Sequence, residues 1–391
     1  MNPPRIAPVA LALLVAAALA ARVALAAPTP LDPALFAFPG SVMAPASGTS
    51  AGLALADQWL GDDPFSNPAV APGTRFVGSP AMLRVSRQDL RADNRNYDET
   101  AAFFDGAGVA IGLPRLGRFG AALYAFQPVL RFEESAYSRG TGTPDPSNPP
   151  ALVETHAHAR ETRAGLALSA PTGPLRVGVG VEWLRRSDTY EHFEESGDPA
   201  NAGTKHLEFT GEGASVQAGA RFDHGDSAVW GFSLGAAARY LPALSLDARH
   251  TEDVLTGALD ETLHAERASG WELGTSARVT VRPSVHVYAA LGGRTGQTWD
   301  GFDLRTGSAW EWKLAWEYHD AADPWTLRFG LGQERQSGVP EPRAGVFGIG
   351  LGWRVASDAV VDAGIVRRTI AREGEPNSFD DRIVVSIRVP R

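Results

Sequence analysis

The chain contains no cysteine among its 391 residues. That excludes a disulfide framework and a lipid-anchored cysteine. Lysine is almost absent too. Lys205 and Lys313 are the only two, and the formal net charge is −9, which argues against nucleic acid as a partner. Long apolar runs are missing beyond the first 21 residues, so no helix is expected to cross a membrane. The signatures of Walker loops, serine elbows and zinc-protease helices are missing as well. No enzymatic activity, no cofactor and no metal site are expected.

What is present begins with a secretory signal. "MNPPR" carries one positive charge, and an apolar run from Ile6 to Ala21 follows. Ala24-Leu25-Ala26 is a small-x-small cleavage site, so residues 1–26 read as a signal peptide. An exported chain without spanning helices leaves two classes: a soluble β-protein or a transmembrane barrel.

The remaining chain alternates. In "LRVGVGVEW", Leu175, Val177, Val179, Val181 and Trp183 share one side of an extended chain. Arg176, Gly178, Gly180 and Glu182 take the other, which is the period of a strand with one apolar face. "AWEWKLAWEY", "WTLRFGLG", "VFGIGLGW" and "RIVVSIRV" repeat the pattern. Six tight turns ("PRLG" near 114, "PTGP" at 171, "DHGDS" at 223, "RPS" at 282, "DAADP" at 320, "ASD" at 356) alternate with longer polar connections. That alternation matches the short inner turns and long outer loops of outer-membrane barrels. Six turns join twelve strands, and one strand at each end, 74–90 and 379–389, makes about fourteen. The expected fold class is all-β: a transmembrane up-and-down antiparallel β-barrel over residues 74–391.

The faces carry further expectations. Trp230, Trp316, Tyr318, Trp325 and Trp353 flank the tight turns and should form one aromatic girdle. Tyr137, Tyr190, Phe193 and Trp299, near the long connections, should form the other. The face opposite the apolar one carries Gly and Ala with scattered Arg and Glu, which suits a lumen packed against an inserted plug. Residues 27–73 lack alternation, and their apolar side chains favour an ordered segment within that lumen.

"GTSAGLALADQWLGDDPFSNPA" resembles the N-terminal segment of the outer-membrane long-chain fatty-acid and hydrocarbon transporters, the FadL-like barrels. In that family a Gly/Ala-rich, acidic stretch ends in an Asn-Pro-Ala motif, which here is Asn67-Pro68-Ala69. The resemblance implies fourteen strands, an N-terminal hatch plugging the lumen, and passive transport of hydrophobic molecules with lateral exit through the wall. It assigns Asp57, Phe65, Asn67, Pro68 and Ala69 to the hatch. It implies residence in the cell outer membrane, and contact with membrane lipids, lipopolysaccharide, a hydrophobic small-molecule substrate and, during biogenesis, the barrel-assembly machinery. The chain departs from the pattern at "VSIRVPR", which has no terminal aromatic residue. The alternative function is a sealed, non-transporting barrel that acts as a structural scaffold or secretion partner.

Other patterns carry less. His156 and His158 in "HAHAR" share a strand face and lack a third ligand. "GAGVAIG" (106–112) and "GIGLG" (348–352) are strand glycines rather than nucleotide loops. Arg367, Arg368 and Arg372 cluster near the last outer connection, as a solvated rim or a contact for lipopolysaccharide phosphates.

Overall fold

The computed structural model describes residues 47–390, except 62, 93–94, 106–107, 115–116, 140–150, 196–202, 227–229, 255–256, 301–303, 320–322, 338–342, 357–358 and 372–377. The signal peptide, the rest of the chain before Ser47 and Arg372 lie outside the described residues.

Fourteen antiparallel strands form the wall, some with short interruptions. They are β1 (Thr74–Ala92), β2 (Arg95–Asp105 and Gly108–Gly112), β3 (Gly120–Arg139), β4 (Ala151–Thr172), β5 (Leu175–Glu195) and β6 (Gly203–Asp226). Then come β7 (Trp230–Leu241 and Leu244–Val254), β8 (Gly257–Arg267 and Gly270–Arg282), β9 (Val285–Arg294 and Gln297–Asp300) and β10 (Leu304–Thr306 and Ala309–His319). The last four are β11 (Trp325–Gln336), β12 (Arg343–Ala356), β13 (Ala359–Ala371) and β14 (Ser378–Pro390). Each pairs with its neighbour in the chain, and β1 pairs with β14 from Thr74↔Pro390 to Gln88↔Ser378. Closure leaves no sheet edge at that seam, which is the condition for crossing lipid with strands. Among the described residues no helix is long and apolar enough to cross.

The outward face identifies the lipid-contacting zone. On β5 the exposed positions are Val177, Val179, Val181 and Trp183. Above Trp183 the outward positions turn polar. Arg185 pairs with Glu212 at 3.7 Å and Arg249 with Asp260 at 2.8 Å, all highly exposed. The apolar part of β5 is thus nine residues long, against about 9–11 needed for a tilted strand to span a bilayer. The upper strands project beyond the membrane.

This changes two expectations. Several outer connections read as loops are strand: "TEDVLTGALD" continues the β7–β8 ladder to Val254↔Gly257. The polar composition there reflects strands standing in water on both faces. The outer girdle also sits lower than expected. Trp183, Trp271 and Trp310 are exposed, whereas Tyr190 and Phe193 are half-buried and lie beyond the apolar zone. The side chains of Tyr137 and Trp299 lie outside the described ones. The inner ring is as expected at Trp316, Tyr318, Trp325 and Trp353, all exposed. Trp325 stacks on Trp353 with centroids 5.4 Å apart. A vertical rise of about 2.5 Å per tilted residue puts the two rings about 20 Å apart, close to the height of a barrel's apolar band. Leu291, 61% exposed, lies between them. Leu291→Arg is expected to destabilise the barrel by about 2–4 kcal/mol, read from denaturant unfolding in lipid vesicles.

Candidate functional site

The lumen is filled from its lower end by the N-terminal segment. Ser47 caps a short helix, α1 (Gly48–Gly52), its hydroxyl accepting from the Ser50 N–H at 3.1 Å. The chain then turns through Ala54 and Leu55, both with positive φ, a conformation held only where packing over-determines it. It ends in a 3-10 turn over Pro68–Gly73 that feeds β1. Nearly every described residue of this segment is buried.

The glycines of the inward face make that packing possible. A Cβ at Gly364 or Gly350 would collide with α1, one at Gly330 with Leu53 and Ala54, and one at Gly348 with Ala51 and Ala54. Gly235, Gly274 and Gly292 make room for Trp59, Gly219 for Asn67, and Gly178 for Pro68 and Ala69. The glycine stripe opposite the apolar face is therefore the contact surface of the plug. "GIGLG" belongs to it, as strand and not as a nucleotide loop.

The five residues assigned from sequence all lie in this segment. The Asn67 amide donates to the carbonyls of Trp59 at 2.8 Å and Ala220 at 3.0 Å, while its Oδ1 accepts from the Ala69 N–H. It fastens the segment to itself and to β6. Pro68 and Ala69 lie on β5. The Phe65 ring stacks on Phe126 at 4.9 Å and meets Tyr124 edge-on at 6.1 Å. Asp57 is buried and accepts from the Ser50 hydroxyl at 3.2 Å. Asn67→Ala leaves buried carbonyls without donors and is expected to cost about 2–3 kcal/mol, read as earlier loss of protease protection of the segment.

Burial pushes the Asp57 carboxyl up to about 6, against the Ser50 hydroxyl and the Arg328 guanidinium, which pull it down. In a released segment it would ionise near its ordinary value of about 4. The packed state therefore binds the extra proton and gains stability as pH falls through 6, the gain being complete below about 4. Protease protection of the segment should be greater at pH 5 than at pH 7.5, and Asp57→Asn should remove the difference.

Above the plug, charged residues cross the lumen. Arg163 of β4 reaches Glu272 of β8, four strands away, through paired bonds of 2.8 and 2.9 Å. Arg239 of β7 donates to Glu182 of β5 at 2.9 Å, to Glu272 at 2.9 Å and to the Phe65 carbonyl of the plug. Glu182 also accepts from Tyr124 at 3.0 Å and Ser215 at 2.6 Å. Glu161 joins Arg163, Arg186 and Arg267. Such charges are tolerated in a closed space only when mutually paired.

The wall carries a break. β2 and β3 pair only from Gly108↔Phe126 to Gly112↔Ala122. Above that level Arg95–Asp105 pairs with β1 alone, and β3 continues along β4 alone. Among the described residues no ladder joins 95–105 to 127–139. The cause is local: Pro128 has no N–H to give, and the β3–β4 register shifts between Phe126 and Val129. Phe126 lies six residues above the lower end of β3, about halfway up the apolar zone. The Phe65–Phe126–Tyr124 cluster therefore forms the sill of the break, and the plug contributes one of its three rings. Sequence reading missed this feature, although Pro128 inside a strand pattern was its signal.

One other expectation resolves differently, and one falls outside the described side chains. Arg367 faces outward against Asp381 at 2.6 Å, whereas Arg368 is buried in the lumen 3.3 Å from Glu334. Neighbours in a strand point oppositely, so Arg368 is not part of an outer rim. His156 and His158 lie in β4 opposite Glu134 and Phe132, with side chains outside the described ones.

A closed fourteen-stranded barrel with a lipid-facing apolar zone, its lumen plugged by the chain's own N-terminal segment and, among the described residues, its β2–β3 ladder confined to the lower wall, is the class these features define. Solved structures of the same class exist. The fold is similar to that of a Pseudomonas aeruginosa FadL homologue (TM-score 0.58, 13% identity, 88% of this chain and 98% of that one). It is similar to the Ralstonia pickettii toluene transporter TbuX (TM-score 0.58, 14% identity, 88% and 98%). The Pseudomonas putida toluene transporter TodX matches alike (TM-score 0.57, 13% identity, 92% and 97%). No protein-family model matches the chain, and no curated protein does.

Proposed function

We propose that the protein resides in the outer membrane and passes small hydrophobic molecules, which leave the barrel sideways into the bilayer. The observation that carries this reading is the break between β2 and β3, which begins at mid-membrane beside an aromatic sill. An aqueous pore has no use for such an opening. A greasy solute does, because it trades a crowded, charged lumen for lipid without crossing water. The straight route down the barrel is blocked by the plug and narrowed by the ion pairs. Two proteins of similar fold are toluene transporters, which supports monoaromatic hydrocarbons as the substrate class; the resemblance of the N-terminal segment adds long-chain fatty acids as a second class to test. Asp57, Phe65, Asn67, Pro68 and Ala69 act in this reading as a hatch, with Phe65 linking hatch position to the sill.

One observation favours the alternative of a sealed scaffold barrel: the Arg163–Glu272 and Arg239–Glu182 pairs tie non-adjacent strands together inside the lumen. A single experiment separates the two. Because the chain lacks cysteine, Ala102→Cys and Leu130→Cys can be bridged across the break by a bifunctional maleimide. Uptake of labelled toluene or oleate should fall to the level of cells without the protein when bridged, while either single variant stays active. Uptake equal to that of cells without the protein, before any bridging, would leave the sealed barrel.

A further inference from the structure

At the lower end of the lumen, beneath the plug, lies a cavity of about 240 Å³. Its wall includes Glu317 and His319 of β10, with Tyr288 and Arg328 from the neighbouring strands. His286 of β9 is the direct cross-strand partner of Glu317. The ligand atoms of His286, Glu317 and His319 all lie within 4.8 Å of one another. The two imidazoles face each other with centroids 5.0 Å apart.

We propose that His286, Glu317 and His319 bind a divalent transition-metal ion of the zinc or copper class at the inner mouth of the barrel. Two imidazoles and one carboxylate are a donor set those ions favour. Three protein ligands beside a cavity that admits water leave a fourth position for solvent. The side chains around the donors are also arranged for it. Thr280 Oγ1 lies 3.0 Å from His286 Nδ1, which orients the ring and leaves Nε2 as the nitrogen for a metal. Arg328 holds Glu317 Oε2 at 2.6 Å. Among the described residues Oε1 accepts from the Tyr288 hydroxyl at a long 3.3 Å, a weak bond that a metal can replace. Ligands around a four-coordinate ion of this class stand about 3.3 Å apart, so the three donors close by at most about 1.5 Å, within the reach of side-chain rotation. Placement on two adjacent, fully paired strands fixes the backbone, so binding needs no change of fold.

Arg278 and Arg328 flank the site, and Arg328 is itself bonded to Asp362 at 2.7 Å. Their charge disfavours hard cations held by charge alone, and the ion bound should be one that gains from nitrogen coordination.

The test uses the refolded full-length barrel in detergent with Zn²⁺ alone and a competing chelating dye. The double variant His286→Ala/His319→Ala should weaken Zn²⁺ binding at least ~10-fold. The control His156→Ala/His158→Ala should leave it unchanged. With Cu²⁺, electron paramagnetic resonance should show coupling to two imidazole nitrogens, lost in the first variant. Both barrels should keep their gel shift on boiling, which separates lost binding from lost folding. Equal Zn²⁺ affinity in the unaltered chain and the first variant would overturn the proposal, as would a Cu²⁺ spectrum without nitrogen coupling.

Discussion

Deleting residues 27–73 should turn a closed barrel into a conducting one. The plug occupies the lower lumen, and the wall glycines beneath it have no side chains to refill the space. A fourteen-stranded cylinder without its insert is wide enough for water and ions, and conductance in planar bilayers should rise at least ~10-fold. Gly274→Leu tests the same claim without shortening the chain. Its side chain would occupy the position of the Trp59 ring, so the segment must leave its seat or the barrel must distort. Channel activity that appears in both variants, with the heat-dependent gel shift preserved, is the expected result. Unchanged conductance in both would remove the segment from any gating role.

The second large effect concerns Glu182. This carboxylate is buried and accepts from Tyr124, Ser215 and Arg239. Glu182→Ala leaves Arg239 with half its charge compensation and strands two neutral donors. Breaking a buried pair in this way costs about 3–5 kcal/mol. Glu182→Gln keeps the volume and one acceptor, and should cost less than half as much. A double-mutant cycle with Arg239→Met should return a coupling energy of about 2 kcal/mol or more. Unfolding in urea from lipid vesicles gives all four corners. Loss of the pair should also loosen the plug, because Arg239 holds the Phe65 carbonyl. Earlier proteolysis near Phe65 in the Glu182→Ala barrel would report that link.

Much of this was legible in the residues. Leu175–Trp183 displays both faces of the wall at once: Val177, Val179, Val181 and Trp183 for lipid, Gly178 for the plug, and Glu182 for the ion pairs. The tight turns were legible because each needs Gly, Pro or Asp. Gly173, with φ +66° between Thr172 and Pro174, shows why. Counting those turns yields the strand number directly. The upper halves of the strands were not legible, because water on both faces erases the alternation that lipid imposes. The ion pairs were hidden for another reason: Arg163 and Glu272 lie 109 residues apart, and nothing local marks them as partners. His286, Glu317 and His319 fall on two strands whose register only the closed wall fixes. The break at Pro128 did have a local signal, and it went unread because one proline in a long strand resembles an ordinary bulge.

The whole account rests on the N-terminal segment being seated against inward-facing glycines of a membrane-embedded cylinder. The Trp59 N–H donates to the Ser276 hydroxyl at 3.3 Å, so the two residues are direct neighbours across the plug–wall contact. Trp59→Cys with Ser276→Cys, in a chain without other thiols, measures that seating in intact outer membranes. The account predicts that mild oxidation joins the pair nearly completely, with neither single variant forming a cross-link. Two free thiols that react at once with a membrane-impermeant maleimide would contradict it.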